Sequence, residues 1–285
     1  MQKYKTDWYL YYLINVTLII LVSFPIYWAF VSSIKPPNEL ITNTPTLFPI
    51  NPTFENYERI WNLEPTSSRG NVRSAFTNSA IVSIGTVVLS AIISTLAAYA
   101  LTILRTPFRH FIFLLIIMPI LIPGISLLIP LYKLVKELGL MNSYLGLILI
   151  HSTGMLTLGV FLMRNAFMSI PTSLREVALL EGSSELRIMF TVMLPLAIPG
   201  LLTLMVFALY GSWNDFILAF LFVNTIDMEM LNVFLMKLTF AGSQFDTFWG
   251  LLNAGAIISF VPIIIFYIFL QQYFVRGVTG SAVKE

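Results

Sequence analysis

Few side chains in this sequence can do chemistry, and their placement narrows what the chain can be. It has no cysteines, which excludes disulfides, thiolate nucleophiles and cysteine-held metals. Its two histidines, His110 and His151, are too few and too isolated to form a metal cluster. No GxxxxGKS/T occurs, so the chain carries no phosphate loop of its own. Two acidic settings remain. One is the thirteen-residue stretch "REVALLEGSSELR", which carries five charges: Arg175, Glu176, Glu181, Glu185 and Arg187. The other is Asp215, in "GSWNDFILAF", between long apolar runs. An ionisable group in such a setting could take a proton or cation, contact a polar solute, or clasp a neighbouring helix.

The elements that must position these groups are set by composition. Of 285 residues, 57% are hydrophobic and 11% charged, and the mean hydropathy is +0.84. A soluble domain carries about 25% charged residues, so water is not the main solvent here. Apolar runs of about 20 residues match a hydrocarbon core of about 30 Å. A net charge of +2, without a basic stripe, excludes nucleic acid as a partner.

The fold class expected is an all-α integral membrane protein with six transmembrane helices. The first span covers about 9–33, with Trp8, Tyr9, Tyr11 and Tyr12 as an interfacial aromatic belt. Its apolar run exceeds the 7–15 residues typical of a secretory signal, so it reads as an uncleaved anchor. Residues 35–73 read as a polar external loop with a short helix near "FENYERIW". Span two covers about 75–104, and Arg105, Arg109 and His110 mark a tight cytoplasmic turn. Span three, about 111–131, must be disturbed by Pro119, Pro123, Gly124 and Pro130. "YKLVKELGLMNS" is a short amphipathic external piece. Span four covers about 144–163, span five about 196–223 and span six about 248–274, with 224–247 as an external loop. Counting Lys and Arg with the N-terminus inside gives nine inner residues (Lys3, Lys5, Arg105, Arg109, Arg164, Arg175, Arg187, Arg276, Lys284) and seven outer ones. Four of those seven (Lys35, Arg59, Arg69, Arg73) share one long loop, where the positive-inside rule is less strict. Both termini are therefore expected in the cytoplasm.

The charged stretch cannot be part of a span. At about 2.5–3.5 kcal/mol per charged residue at a helix centre, five charges would cost about 12–17 kcal/mol in lipid. It must lie outside the hydrocarbon, on the cytoplasmic side. Ser173 and Glu176 fit an S-x-x-E capping box. Gly182 implies a bend or a close approach by another backbone. Pro195 and Pro199 stop one helix and start the next. The expectation is a short helix, a glycine break, a second helix and then span five. Three Glu against two Arg suit an anionic membrane surface poorly, so a protein partner is the better reading.

"SIPTSLREVALLEGSSELRIMFTVMLPLAIPG" resembles the EAA loop of ABC importer permeases, the binding-protein-dependent inner-membrane components. Glu176, Val177 and Ala178 stand for E-A-A, Gly182 for the glycine, and Leu194 and Pro195 for the L-P. Val177 replaces an alanine and Glu181 a common aspartate. "LAAYALTILRTPFR", "IPLYKLVKELGLMNSYLGLIL", "GSWNDFILAFLF" and "LQQYFVRGVTGSAVKE" resemble the maltose-type carbohydrate subgroup, although Glu285 stands where Gly is usual. The resemblance covers nearly the whole chain.

The resemblance implies a type I importer fold, with 1–73 as the N-terminal part, 74–274 as the permease core containing a coupling loop at 171–195, and 275–285 as a cytoplasmic tail. It implies a transport subunit that performs no catalysis and binds no metal or cofactor, in a bacterial inner membrane. Partners would be a second homologous permease, a dimer of ATP-binding subunits using ATP and Mg, and a periplasmic or lipid-anchored solute-binding protein. Glu176, Ala178, Gly182, Leu194 and Pro195 would couple to the ATP-binding subunit, with Glu176 as a structural cap the alternative. Asn78, Tyr99, Tyr210, Asn214, Asp215 and Asn253 are candidates for a translocation path. For Asp215 an interhelical clasp is an equal alternative, and the others are more often satisfied interhelical hydrogen bonds. The loop 224–247 would reach the solute-binding protein, and 277–285 the ATP-binding dimer. An ion-coupled secondary transporter using Asp215, a membrane scaffold, and a permease for another solute class are the competing readings; six spans without an inverted repeat argue against the first.

Overall fold

The computed structural model describes residues 2–40, 42, 44–66, 68–104, 106–240 and 245–279, and among them every regular element is helical. The tail from 280 to 285 lies outside the described residues. The chain divides into two compact units, Met1–Arg73 with Phe234–Val261, and Ser74–Val233 with Pro262–Glu285.

The first unit opens with α1, Gln2–Ser33. Its residues 8–30 are apolar on all sides and almost wholly exposed, as lipid contact requires. The segment after it is a built structure rather than a slack loop. Helices α2 (Pro37–Leu40) and α3 (Glu55–Trp61) bracket it. The Glu39 carboxylate accepts from the N–H groups of Ile50 (2.9 Å) and Asn51 (2.8 Å). The buried Asn56 amide donates to the carbonyls of Ser33 (2.9 Å) and Lys35 (2.8 Å), fixing α3 to the end of α1.

The second unit is built on α4, Val72–Thr102. Ser79, Ser83, Thr86, Ser90 and Ser94 recur at helical spacing and are all buried, while Ile81, Ile84, Val88, Ile92 and Leu96 are exposed. Small hydroxyl residues turned inward and aliphatic ones outward are the arrangement of a helix whose solvent is lipid. Helix α5 (Arg109–Ile117) continues through a 3-10 turn, then breaks at Ile122–Pro123 before another turn and α6 (Leu128–Glu137). The two arms meet at 98°. Span three is thus two arms at nearly a right angle: Pro119 and Pro123 each remove a helix hydrogen bond, and the external piece expected after it is the end of α6.

Helix α7, Tyr144–Met168, runs about one turn beyond the expected end and packs most extensively against α11. Next come α8 (Thr172–Leu180), α9 (Glu185–Ile188), a π-helical turn (Met189–Met193) and α10 (Leu194–Leu196). A 79° bend at Ala197 leads into α11, Ile198–Trp213. Pro195 and Pro199 flank that bend, and the loosened π turn sits just ahead of Pro195, which has no N–H for the preceding turn.

Span five was expected to be continuous to about 223. It stops at Trp213 and resumes as α12, Ile217–Phe222. The loop expected at 224–247 is largely helical, with α13 at Leu231–Phe240. Leu231, Val233, Phe234 and Leu238 on it are buried, which is why it is not an exposed loop. Helix α14, Phe245–Thr279, closes the chain and contains Pro262. Among the described residues four helices are long and apolar enough to cross a membrane, and six spans result if each bent pair crosses once.

Candidate functional site

The charged segment is assembled by three local devices. Helix α8 begins directly after Pro171, which occupies the N-cap position and makes no side-chain capping bond. The expected Ser173–Glu176 capping box is therefore absent: the N-cap is Pro171, two residues earlier, so Ser173 is already inside the helix. At the other end Glu181 is the C-cap and Gly182 adopts φ +81°. The Gly182 N–H reaches the Leu179 carbonyl, and the Ser183 N–H reaches that of Ala178, both at 3.0 Å. This is a Schellman closure, which needs a left-handed residue at the glycine position. A Cβ on Gly182 would meet nothing within 4 Å, so within this chain the glycine serves the bend and not a close approach. The third device is Ser184, whose hydroxyl accepts from the Arg187 N–H at 3.4 Å and caps α9. Ser/Thr/Asp/Asn before a helix is a readable N-cap pattern, and "SSELR" displays it.

The five expected coupling residues take different positions. Glu176, Gly182 and Pro195 are exposed and Leu194 is half-buried. Ala178 is 8% exposed and packs inward beside Phe167, Ile170, Ile188 and Met193. Its small size serves packing within the chain. Val177 is 54% exposed and Leu180 89%, and Leu174 and Leu186 are exposed too. The outer face of the segment thus mixes apolar side chains with Glu176 and Glu181.

Glu185 joins this segment to the spans. Its carboxylate accepts from Nε of Arg175 on α8 at 3.3 Å, and it forms an ion pair with the same guanidinium through Nη2. It also accepts the Tyr99 hydroxyl at 3.0 Å. The hydrogen bond that Arg175 donates to Glu185 is the main reason the Arg175 pKa is raised above its ordinary value. Tyr99 is buried near the end of α4 and meets Phe167 edge-on at 5.5 Å. Nothing local in the sequence announced this link.

The second cluster surrounds the break after Trp213. The Asp215 carboxylate accepts from the N–H groups of Leu218 (3.3 Å) and Ala219 (2.8 Å), satisfying the start of α12. The Asn232 amide donates to the carbonyls of Trp213 (3.0 Å) and Asp215 (3.3 Å), covering the other side of the break. His151 Nε2 lies 3.8 Å from Asp215 Oδ2. A cavity of about 220 Å³ is lined by His151, Asp215, Ser212, Thr86 and Met155, among others. It is smaller than the roughly 300–1,000 Å³ of typical ligand pockets. Irregular backbone at membrane depth survives where protein or a polar cavity covers it.

The path candidates have different local roles. Asn78 donates to the carbonyls of Asp227 (2.8 Å) and Glu229 (3.0 Å) and accepts from Tyr144 (2.7 Å), so its side chain is fully used. Tyr99 belongs to the Glu185 link. Tyr210 is exposed, and the Asn214 amide donates to its carbonyl at 3.0 Å. Asn253 belongs to the first unit and bonds its own helix at Trp249. Among the described residues no group of three His, Cys, Asp or Glu could hold a metal ion.

Residues 90–280 match the family model described as binding-protein-dependent transport system inner membrane component. A probable starch degradation products transport system permease protein of Thermoanaerobacterium thermosulfurigenes is 32% identical over 287 residues, covering 100% of both chains. An arabinooligosaccharides transport system permease protein of Halalkalibacterium halodurans is 33% identical, covering 92% of this chain and 91% of its own. Among solved structures, a chain of a bacterial ABC transporter involved in the import of the acidic polysaccharide alginate superposes with a TM-score of 0.85 at 22% identity, covering 96% of this chain and 98% of that one. At that identity the likeness speaks for the fold.

Proposed function

Because the chain belongs to the family of binding-protein-dependent transport system inner membrane components, we propose that it forms one permease half of an ATP-driven importer for a sugar or oligosaccharide. The observation that carries this reading is the clasped segment at 171–195, whose outer face offers Leu180, Val177, Glu176 and Glu181 to a partner while its inner face packs on the spans. Rigid-body alternation driven by binding elsewhere needs such a handle. The handle faces the cytoplasm, with both termini on the same side, in a bacterial inner membrane. A dimer of ATP-binding subunits docks there and uses ATP and Mg; Glu176 and Gly182 belong to the contact, Ala178 supports it from behind, and Leu194 and Pro195 end the loop.

The permease core is taken as 74–274, and 275–285 as a tail reaching the ATP-binding dimer. A second homologous permease completes the path. A periplasmic or lipid-anchored binding protein delivers the solute, with 224–247 as its nearest contact. The sugar class is supported by the relatives named for starch products and arabinooligosaccharides. Asp215 has the geometry of a local helix cap, which supports a structural role over a solute or ion contact.

The test is uptake by proteoliposomes holding the chain with its co-purified subunits, supplied with radiolabelled maltooligosaccharides or arabinooligosaccharides. The proposal expects uptake only with both ATP inside and the binding protein outside. Uptake driven by an ion gradient without ATP would overturn it.

A further inference from the structure

The segment that would take the push of an ATP-binding subunit is joined to the membrane body in a way that local structure alone does not provide. Between α8 and α9 lie Glu181–Ser184, with Gly182 at φ +81° and open space around it. On α8 itself Ala178 is the buried residue, and Leu180, two residues on, is 89% exposed. A nine-residue helix held by one small side chain and a glycine turn would swing under load. Few buried apolar contacts and exposed backbone mark an element that opens locally.

The Arg175–Glu185–Tyr99 triad removes that slack. Arg175 lies on α8 and Glu185 opens α9, so their ion pair closes a ring across the Gly182 turn. Tyr99 carries the same carboxylate to α4, and its ring carries the contact to Phe167 at the end of α7. The link therefore runs through α8, α9, α4 and α7 by side chains alone. Arg supplies a planar fork that holds a carboxylate in one orientation, and Tyr supplies a rigid ring with a polar tip.

We infer that Glu185 is a positioning residue: it locks the coupling segment to α4 as one lever, so that force on α8 moves the spans instead of bending the Gly182 turn. This rests on the importer reading above. It concerns transmission and is separate from docking, because Glu185 lies on the inner side of the segment, against Tyr99.

The experiment uses the complete importer in proteoliposomes and reads solute taken up per ATP hydrolysed, together with the amount of ATP-binding subunit retained on purification. Coupling between sites is typically worth about 5–150-fold; Glu185→Ala is expected to lower the ratio by about fivefold with normal retention. Tyr99→Phe, which removes one hydroxyl, lowers it by about twofold, and adding it to Glu185→Ala lowers it no further, because both act through one link. The double exchange Arg175→Glu with Glu185→Arg recovers part of the loss left by either exchange alone. An unchanged ratio in Glu185→Ala overturns the inference. So does loss of ATP-binding subunit in step with uptake, which would make Glu185 a docking or folding residue. If wild-type chain takes up solute without ATP, the importer reading fails and the lever with it; if wild type couples and Glu185→Ala couples equally, only the lever fails.

Discussion

Glu185 and Asp215 are two carboxylates that each follow a helix break: Glu185 is the first residue of α9, and Asp215 lies two residues ahead of α12. They are used in opposite ways. Asp215 spends both oxygens on backbone N–H groups three and four residues ahead, Leu218 and Ala219. Glu185 leaves the cap of its helix to Ser184 and gives its oxygens to Arg175, ten residues away, and Tyr99, eighty-six residues away. One carboxylate repairs the chain locally; the other joins distant elements. Location explains the division. Around the break after Trp213, between the apolar helices α11 and α12, unpaired backbone groups are the largest liability. In the charged segment water can satisfy backbone, so the carboxylate is free to make a tertiary contact.

Substitutions separate the two roles, and the largest effect is expected at Asp215. Asp215→Ala leaves two N–H groups without their acceptor, at about 1–3 kcal/mol each. The purified chain in detergent should melt at clearly lower temperature, and Asp215→Asn, which keeps one acceptor oxygen, should recover much of the loss. Equal melting of the alanine variant and wild type would remove Asp215 from its capping role. Equal damage from Asn and Ala would shift the weight to charge and His151.

Gly182→Trp should act the other way, on assembly and not on the chain. Within the chain a side chain at Gly182 has open space and only the left-handed backbone to accommodate, about 1–3 kcal/mol of local strain. Membrane insertion should persist while retention of ATP-binding subunits falls more than tenfold, measured by quantitative co-purification. Normal retention would take Gly182 out of the interface. The smallest effect belongs to Ser184→Ala, which removes the α9 cap at an exposed site and should cost about 0.5–1 kcal/mol. Faster amide exchange confined to Glu185–Ile188 is the expected signature. Unchanged exchange there would show that the Glu185 link alone holds α9.

Much of this fold was legible because lipid imposes simple rules. The extents of α1 and α4 follow from apolar length, and the helix–glycine–helix form of 172–188 follows from Gly182 between good helix formers. Pro119 and Pro123 announced a disturbance in span three, although proline fixes where a helix breaks and not the angle of 98° that results. The break after Trp213 was harder to foresee: no proline marks it, and "WND" reads as the middle of a span until Asp215 is recognised as a cap. Ser173 was mistaken for a cap because Pro171 moves the helix start ahead of it. The Glu185 link could not be read at all, since its partners Arg175 and Tyr99 share no periodicity with it. Of the charged segment, then, the helix–glycine–helix form is visible in the sequence, and the Arg175–Glu185–Tyr99 connection behind it is not.

Docking of an ATP-binding subunit on the outer face of α8, as proposed above, is directly measurable because the sequence has no cysteines. Leu180→Cys places the chain's single thiol at a position that is 89% exposed on α8. A bifunctional thiol–amine reagent added to native membranes should join that thiol to the ATP-binding subunit, with a yield that changes on adding ATP. A thiol that labels freely with a small maleimide in the same membranes, yet yields no cross-link to an ATP-binding subunit with or without ATP, would contradict the account.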